Sequence, residues 1–232
     1  MPLAVVVLIA LGFTKAQDQN PTDPLNHVAF AHALSCEIDD DRCLQQEFVA
    51  RRDADQAARI DANLARICPS GHADLLKLDE ACARSVALYI DQINTGRARA
   101  VLASGRWPGW SGAAARGLWL SVQHSRASDG SFDTQFMVST LPALRQAVTE
   151  GHLDAQDYAR TADRALLDSG QLQQYGTIRI CRGVEFDMTT SAPAAVVEAN
   201  RANLRMEITF AQLKLYWDGL CLRDSQVAAT AQ

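Results

Sequence analysis

Positive charge is in deficit: 22 lysines and arginines face 27 acids, a formal net charge of −5. Proteins that track a phosphate backbone carry a basic excess or stripe, so nucleic acid is not an expected partner. No run of five or six like charges forms a tail. The catalytic signatures GxSxG, HExxH, the P-loop and GxGxxG are all missing. The 6 cysteines include no CxxC pair and their spacing is irregular, which argues against zinc. No two of the 5 histidines stand at metal-ligand spacing. No metal and no cofactor are therefore expected. No apolar run reaches the roughly 20 residues that cross a bilayer, so no membrane span is expected in the mature chain.

The chain has 232 residues, 48% of them apolar and 21% charged, enough to bury a sizeable core in one domain. Leu3 to Phe13 is uncharged and has the length of a signal-peptide apolar region. Thr14-Lys15-Ala16 then places small residues where a signal peptidase reads, so cleavage is expected after Ala16. This reading divides the chain into a leader over 1–16, a polar linker over 17–24 with two prolines, and a single helical domain over 25–232. The protein would be periplasmic or secreted. Losing the leader removes Lys15 and no acid, leaving 21 bases against 27 acids, or −6.

The cysteines agree with export. Cys36, Cys43, Cys68, Cys82, Cys181 and Cys221 all lie in the mature chain, an even set that suits an oxidising compartment. Proximity favours Cys36–Cys43, Cys68–Cys82 and Cys181–Cys221 among the possible pairings. The last closes a long loop, which contributes about 3–4 kcal/mol through chain entropy.

The periodicity is mostly helical. Asp39-Asp40-Asp41 is an acidic helix start, and Val49, Ala57, Ile60, Leu64 and Ile67 recur mostly at three- and four-residue steps. Pro69-Ser70-Gly71 breaks that segment, and Asp74 to Ala103 resumes it. After a Trp-Pro-Gly-Trp loop, Ala113–Ser125, the Phe132–Val148 stretch and the segment from Asp154 to Ser169 read as helices. Asp154 and Asp157 stand in a box-like arrangement at the start of the last. Thr177 to Cys181 alternates at the strand period and Val184 to Met188 pairs back. Pro193 to Phe210 is helical, and Ala211 to Trp217 continues or ends that helix. The expected fold is mainly α: a bundle of about seven helices with one small β-hairpin.

Four segments carry more polar groups than their apolar settings require. Gln123 and His124 end an apolar helix, and His124 is a candidate general base or a structural hydrogen-bonding residue. Asp163-Arg164 sits mid-helix. Asp163 there is half of an ion pair, the acceptor of a helix-to-loop hydrogen bond, or the carboxylate that orients His124. Gln173-Gln174-Tyr175-Gly176-Thr177 is a hydrogen-bonding ledge or a self-satisfied turn. Asp91 and Asn94, with Arg97 on the row of Asn94, read in isolation as a solvated helix face.

These runs carry a resemblance. Trp107-Pro108-Gly109, then Leu118–His124, Phe132–Gln135, Ala162-Asp163-Arg164, and Gly170 with Gln174–Thr177 resemble, in this order, a bacterial family catalogued as domain of unknown function 6624. The Asp91-to-Trp110 stretch, Asp55-Gln56 with Arg59, and Asn200-Arg201 are similar to further parts of its pattern. The likeness spans about 47–216. The family has no assigned reaction, so the resemblance implies positions rather than chemistry. Polar, side-chain-specific motifs imply one shared site.

Three readings remain open, the plainest being a structural envelope protein whose polar motifs only hold the fold, beside two functional ones. In the first, His124 and Asp163 are catalytic, and Gln123, Arg164, Gln174, Tyr175, Thr177, Asp91 and Asn94 bind a small polar ligand such as a cell-envelope fragment. In the second, the chain is an immunity or inhibitor protein whose acidic surface binds an envelope-acting protein partner.

Overall fold

The computed structural model describes residues 34–60 and 80–230. The expected leader and linker, Cys68 and the Pro69–Gly71 break lie outside the described residues.

Seven α-helices are found among the described residues: α1 (Asp41–Ala57), α2 (Glu80–Val101), α3 (Gly112–Gln123), α4 (Thr134–Thr149), α5 (Ala155–Asp168), α6 (Ala194–Asn203) and α7 (Phe210–Thr230). One antiparallel hairpin pairs β1 (Cys181–Arg182) with β2 (Glu185–Phe186). The fold is mainly helical, as the periodicity requires.

Local chemistry explains the boundaries. Asp40 caps α1, its side chain accepting from the Cys43 N–H at 3.0 Å, with Asp41 in the first turn. Asp133 caps α4 through the Phe136 N–H at 3.0 Å. Gly151 and Gly170 follow α4 and α5 with φ of 77° and 70°, the left-handed geometry that stops a helix.

Three expectations need correction. Asp154 caps α5 without a side-chain hydrogen bond, and the Asp157 carboxylate does not reach back to it, so no capping box forms. The alternating segment Thr177–Ile180 is not a strand. Its polar groups are held by side chains: Gln173 Nε2 donates to the Ile178 carbonyl at 3.0 Å and the Asp163 carboxylate accepts from Thr177, which replaces a ladder. The helix beginning near Pro193 ends at Asn203, and α7 is a separate 21-residue helix.

The core runs through Phe48, Leu118, Val122, Met137 and Leu144, all fully buried. α1 packs most closely on α3, and α4 on α5. Gly117 makes the first approach possible, because a Cβ there would lie 2.0 Å from the Phe48 carbonyl oxygen. A second cluster, Phe186, Ala192, Val197 and Phe210, seats the hairpin on α6 and α7. Two expected disulfides are present, Cys36–Cys43 and Cys181–Cys221, the latter joining β1 to α7. No helix among the described residues is long and apolar enough to cross a membrane.

Candidate functional site

His124 stands at the C-terminal end of α3 and faces α1. Its Nδ1 lies 2.9 Å from Asp55 Oδ1, and Arg59 follows four residues on, in the turn just after α1. Burial pushes the Asp55 carboxyl up, but hydrogen bonds from His124 and Arg59 outweigh it and hold the pKa down at about 2. An ionised carboxylate only accepts, so Nδ1 is the nitrogen that carries a proton, which in the neutral ring leaves the lone pair on Nε2. Nε2 has no hydrogen bond among the described residues. The buried Asp55 thus fixes the orientation of the His124 ring.

Arg59 joins this pair to α2. Its Nη2 bridges Asp55 Oδ1 at 2.8 Å and Asp91 Oδ1 at 2.6 Å, and Arg126 Nε meets Asp91 Oδ2 at 3.2 Å. Ligand atoms of Asp55, Asp91 and His124 lie within 4.8 Å of one another, a donor set able to hold a metal ion. The Arg59 guanidinium already neutralises both carboxylates from between them, and the geometry is that of an ion-pair network.

This network borders a cavity of about 630 Å³. Arg52, Arg59, Arg116, Arg160, Arg164 and Arg179 line it, and none of its lining residues is acidic. Arg116 and Arg160 form no ion pair among the described residues, while Arg164 stacks over the Phe132 ring at 4.7 Å. Burial lowers the Arg164 pKa from its ordinary value. Gln123 and Thr177 complete the polar wall. Gln123 Oε1 accepts from Thr161 Oγ1 at 2.8 Å, which leaves its amide N–H groups for the cavity.

The expected site residues divide. His124, Gln123, Arg164 and Thr177 reach the cavity. Asp91 lies behind it, held by Arg59 and Arg126. Asn94 is elsewhere: its Oδ1 accepts from Arg51 at 3.0 Å, in a buried network with Glu47 and Arg97. The Asp91–Asn94 face, expected to be solvated, is therefore buried, because α1 supplies the compensating cations.

The expected His124–Asp163 pair is replaced by His124–Asp55. Asp163 is fully buried and accepts from the backbone N–H groups of Gln174 (2.7 Å), Tyr175 (3.0 Å) and Thr177 (2.8 Å) and from Thr177 Oγ1 (2.8 Å). Burial raises its pKa, and these four donors pull against that. From the other side, Asn200 and Arg201 donate to the carbonyls of Gln174 (3.1 Å) and Tyr175 (2.9 Å). Asp163 and the Asn200-Arg201 pair thus clamp the loop's donors and acceptors. Gln174 is tied to Asn200. Tyr175 packs edge-on against Tyr158 with ring centroids 6.0 Å apart, and burial pushes its phenol up to about 12. Neither Gln174 nor Tyr175 lines the cavity. Gly176 has φ of 68°, and a Cβ there would meet the Phe210 ring at 2.3 Å, so the loop requires glycine at this position.

Asp55 and the five further cavity arginines, Arg52, Arg59, Arg116, Arg160 and Arg179, were not among the expected site residues. The signal for Asp55 and Arg59 was their four-residue spacing within the Asp55-Gln56 motif. No curated protein and no solved structure matches the chain. A family model, described as a family of unknown function (DUF6624), matches residues 42–223, somewhat more than the motifs delimit, and the chain belongs to that family.

Proposed function

We propose that this protein binds a small anionic ligand in the arginine-lined cavity and that the His124–Asp55 pair exchanges a proton with it. One observation carries this reading: six arginines and His124 surround a single cavity without an acidic lining residue, in a chain whose formal charge is −5. Arginines gathered against the overall charge, two of them (Arg116 and Arg160) without an ion pair among the described residues, favour phosphate, phosphonate or carboxylate groups, which guanidinium groups grip bidentately. His124 Nε2 supplies a base at the rim, with Asp55 fixing the tautomer and stabilising the imidazolium once the proton arrives. Gln123 adds neutral donors.

The compartment we propose is periplasmic or secreted, where an anionic cell-envelope fragment is an available ligand. The two disulfides support an oxidising setting.

The test is calorimetric titration of inorganic phosphate into the protein at low salt, wild type beside an Arg116→Gln/Arg160→Gln variant. Neither arginine has an ion-pair partner among the described residues, so the variant keeps its fold. Saturable binding by the wild type and its loss in the variant are expected. Absence of binding, or equal binding by both, refutes the reading.

A further inference from the structure

A second cavity, of about 370 Å³, adjoins the first, sharing Arg52 and Arg116 as lining residues. Its other polar walls are Ser111, His152, Asp154 and Asp157. The first cavity is arginine-rich without an acid, whereas the second sets two acids, Asp154 and Asp157, beside the shared Arg52 and Arg116.

Asp157 is the unusual member. Its residue is only 7% exposed, in the first turn of α5. Its carboxylate has no hydrogen bond or ion pair among the described residues. Only its backbone is engaged: the carbonyl accepts from Trp119 Nε1 at 2.9 Å and the N–H donates to the Asp154 carbonyl at 3.1 Å. Buried carboxylates ordinarily have partners, because an unpartnered buried charge is costly.

We propose that Asp157 receives an ammonium group, so that the ligand is dipolar, its anionic end among the cavity arginines and its amine against Asp157. This inference rests on the anion-binding reading above and adds the ligand's second functional group. The charged neighbours are mixed. Arg116 from α3, Arg52 from α1 and Arg160 from α5 favour an anion nearby, while Asp154 favours a cation. None is close enough to pair with Asp157, and an ammonium group in the cavity would be. Burial, opposed by Arg116 and Arg160 and assisted by Asp154, raises the Asp157 pKa to about 6. Amine recognition should therefore be present above about pH 6, where the carboxylate is charged, and fade below it.

The experiment compares aminomethyl-, aminoethyl- and aminopropylphosphonate with the alkylphosphonate of the same length. Each is titrated calorimetrically into wild type and Asp157→Asn at neutral pH. Melting temperature confirms that the variant is folded. The inference predicts that, at one chain length at least, the amine tightens binding to wild type by about tenfold. In Asp157→Asn that ratio should fall to near one, with the alkylphosphonate bound as before. An amine without advantage at every length, or an advantage that survives in Asp157→Asn, overturns the inference and leaves the anion site standing. If no phosphonate binds at all, both fall.

Discussion

Replacing Asp157 by Asn should stabilise the protein, and the gain should depend on pH in a defined direction. The folded pKa is raised from 3.8 to about 6 by burial without a partner. Between these values the folded state holds a proton that the unfolded chain has released. Wild-type stability therefore falls as pH rises through this window, and the full deficit is present above about pH 6. A rise from 3.8 to about 6 corresponds, at about 1.4 kcal/mol per pH unit, to about 3 kcal/mol. Asn has nearly the same shape and no charge to desolvate. The variant's advantage should grow by about 2.5 kcal/mol from pH 4 to pH 8, equivalent to roughly 5–10 °C in Tm for a domain of this size. Urea unfolding followed by tryptophan fluorescence, with the disulfides intact, measures both proteins across that range. Other titrating groups cancel in the difference. A difference independent of pH, or a variant less stable than wild type at pH 8, would show that the Asp157 carboxylate is paired.

Three further substitutions probe the scaffold. Asp163→Ala removes the acceptor for four hydrogen bonds within the Gln174–Thr177 loop. It should cost about 4 kcal/mol in denaturant unfolding, with faster hydrogen exchange at the amides of Gln174, Tyr175 and Thr177. Gly117→Ala drives a methyl group into the Phe48 carbonyl and should destabilise by about 3 kcal/mol in the same assay, since the contact is with backbone that cannot rotate away. Glu47→Ala strands Arg51 and Arg97 beside the Cys36–Cys43 bridge. It should cost about 3–5 kcal/mol by thermal or denaturant unfolding, far more than removal of the exposed partner in Arg179–Asp224.

The fold was legible where one local rule decided it. Asp40 and Asp133 cap their helices through their own side chains, and Gly151 and Gly170 stop them. The segment at Thr177–Ile180 was misleading, because alternation records which side chains are buried and not what partners the backbone. The site was partly legible. His124, Gln123, Arg164 and Thr177 reach the cavity, since polar residues in apolar helices are retained for a partner. The choice between Asp163 and Asp55 as the partner of His124 depends on how α1 packs against α3, and no sequence spacing encodes that. The arginine cavity was hidden for the same reason: its six members come from α1 and the turn after it, α3, α5 and the segment before β1, and each alone looks like an ordinary surface cation.

The central claim is that the His124–Asp55 pair and the arginine cavity are one anion site. Nitrogen-15 NMR of the histidine side chains, with His124→Gln used for assignment, tests it most directly. For the neutral His124 ring the account predicts the proton at Nδ1 and the lone pair at Nε2, and an Nε2 resonance that moves saturably as inorganic phosphate is added. A ring carrying its proton on Nε2, or one unmoved by phosphate that binds elsewhere on the protein, would contradict it.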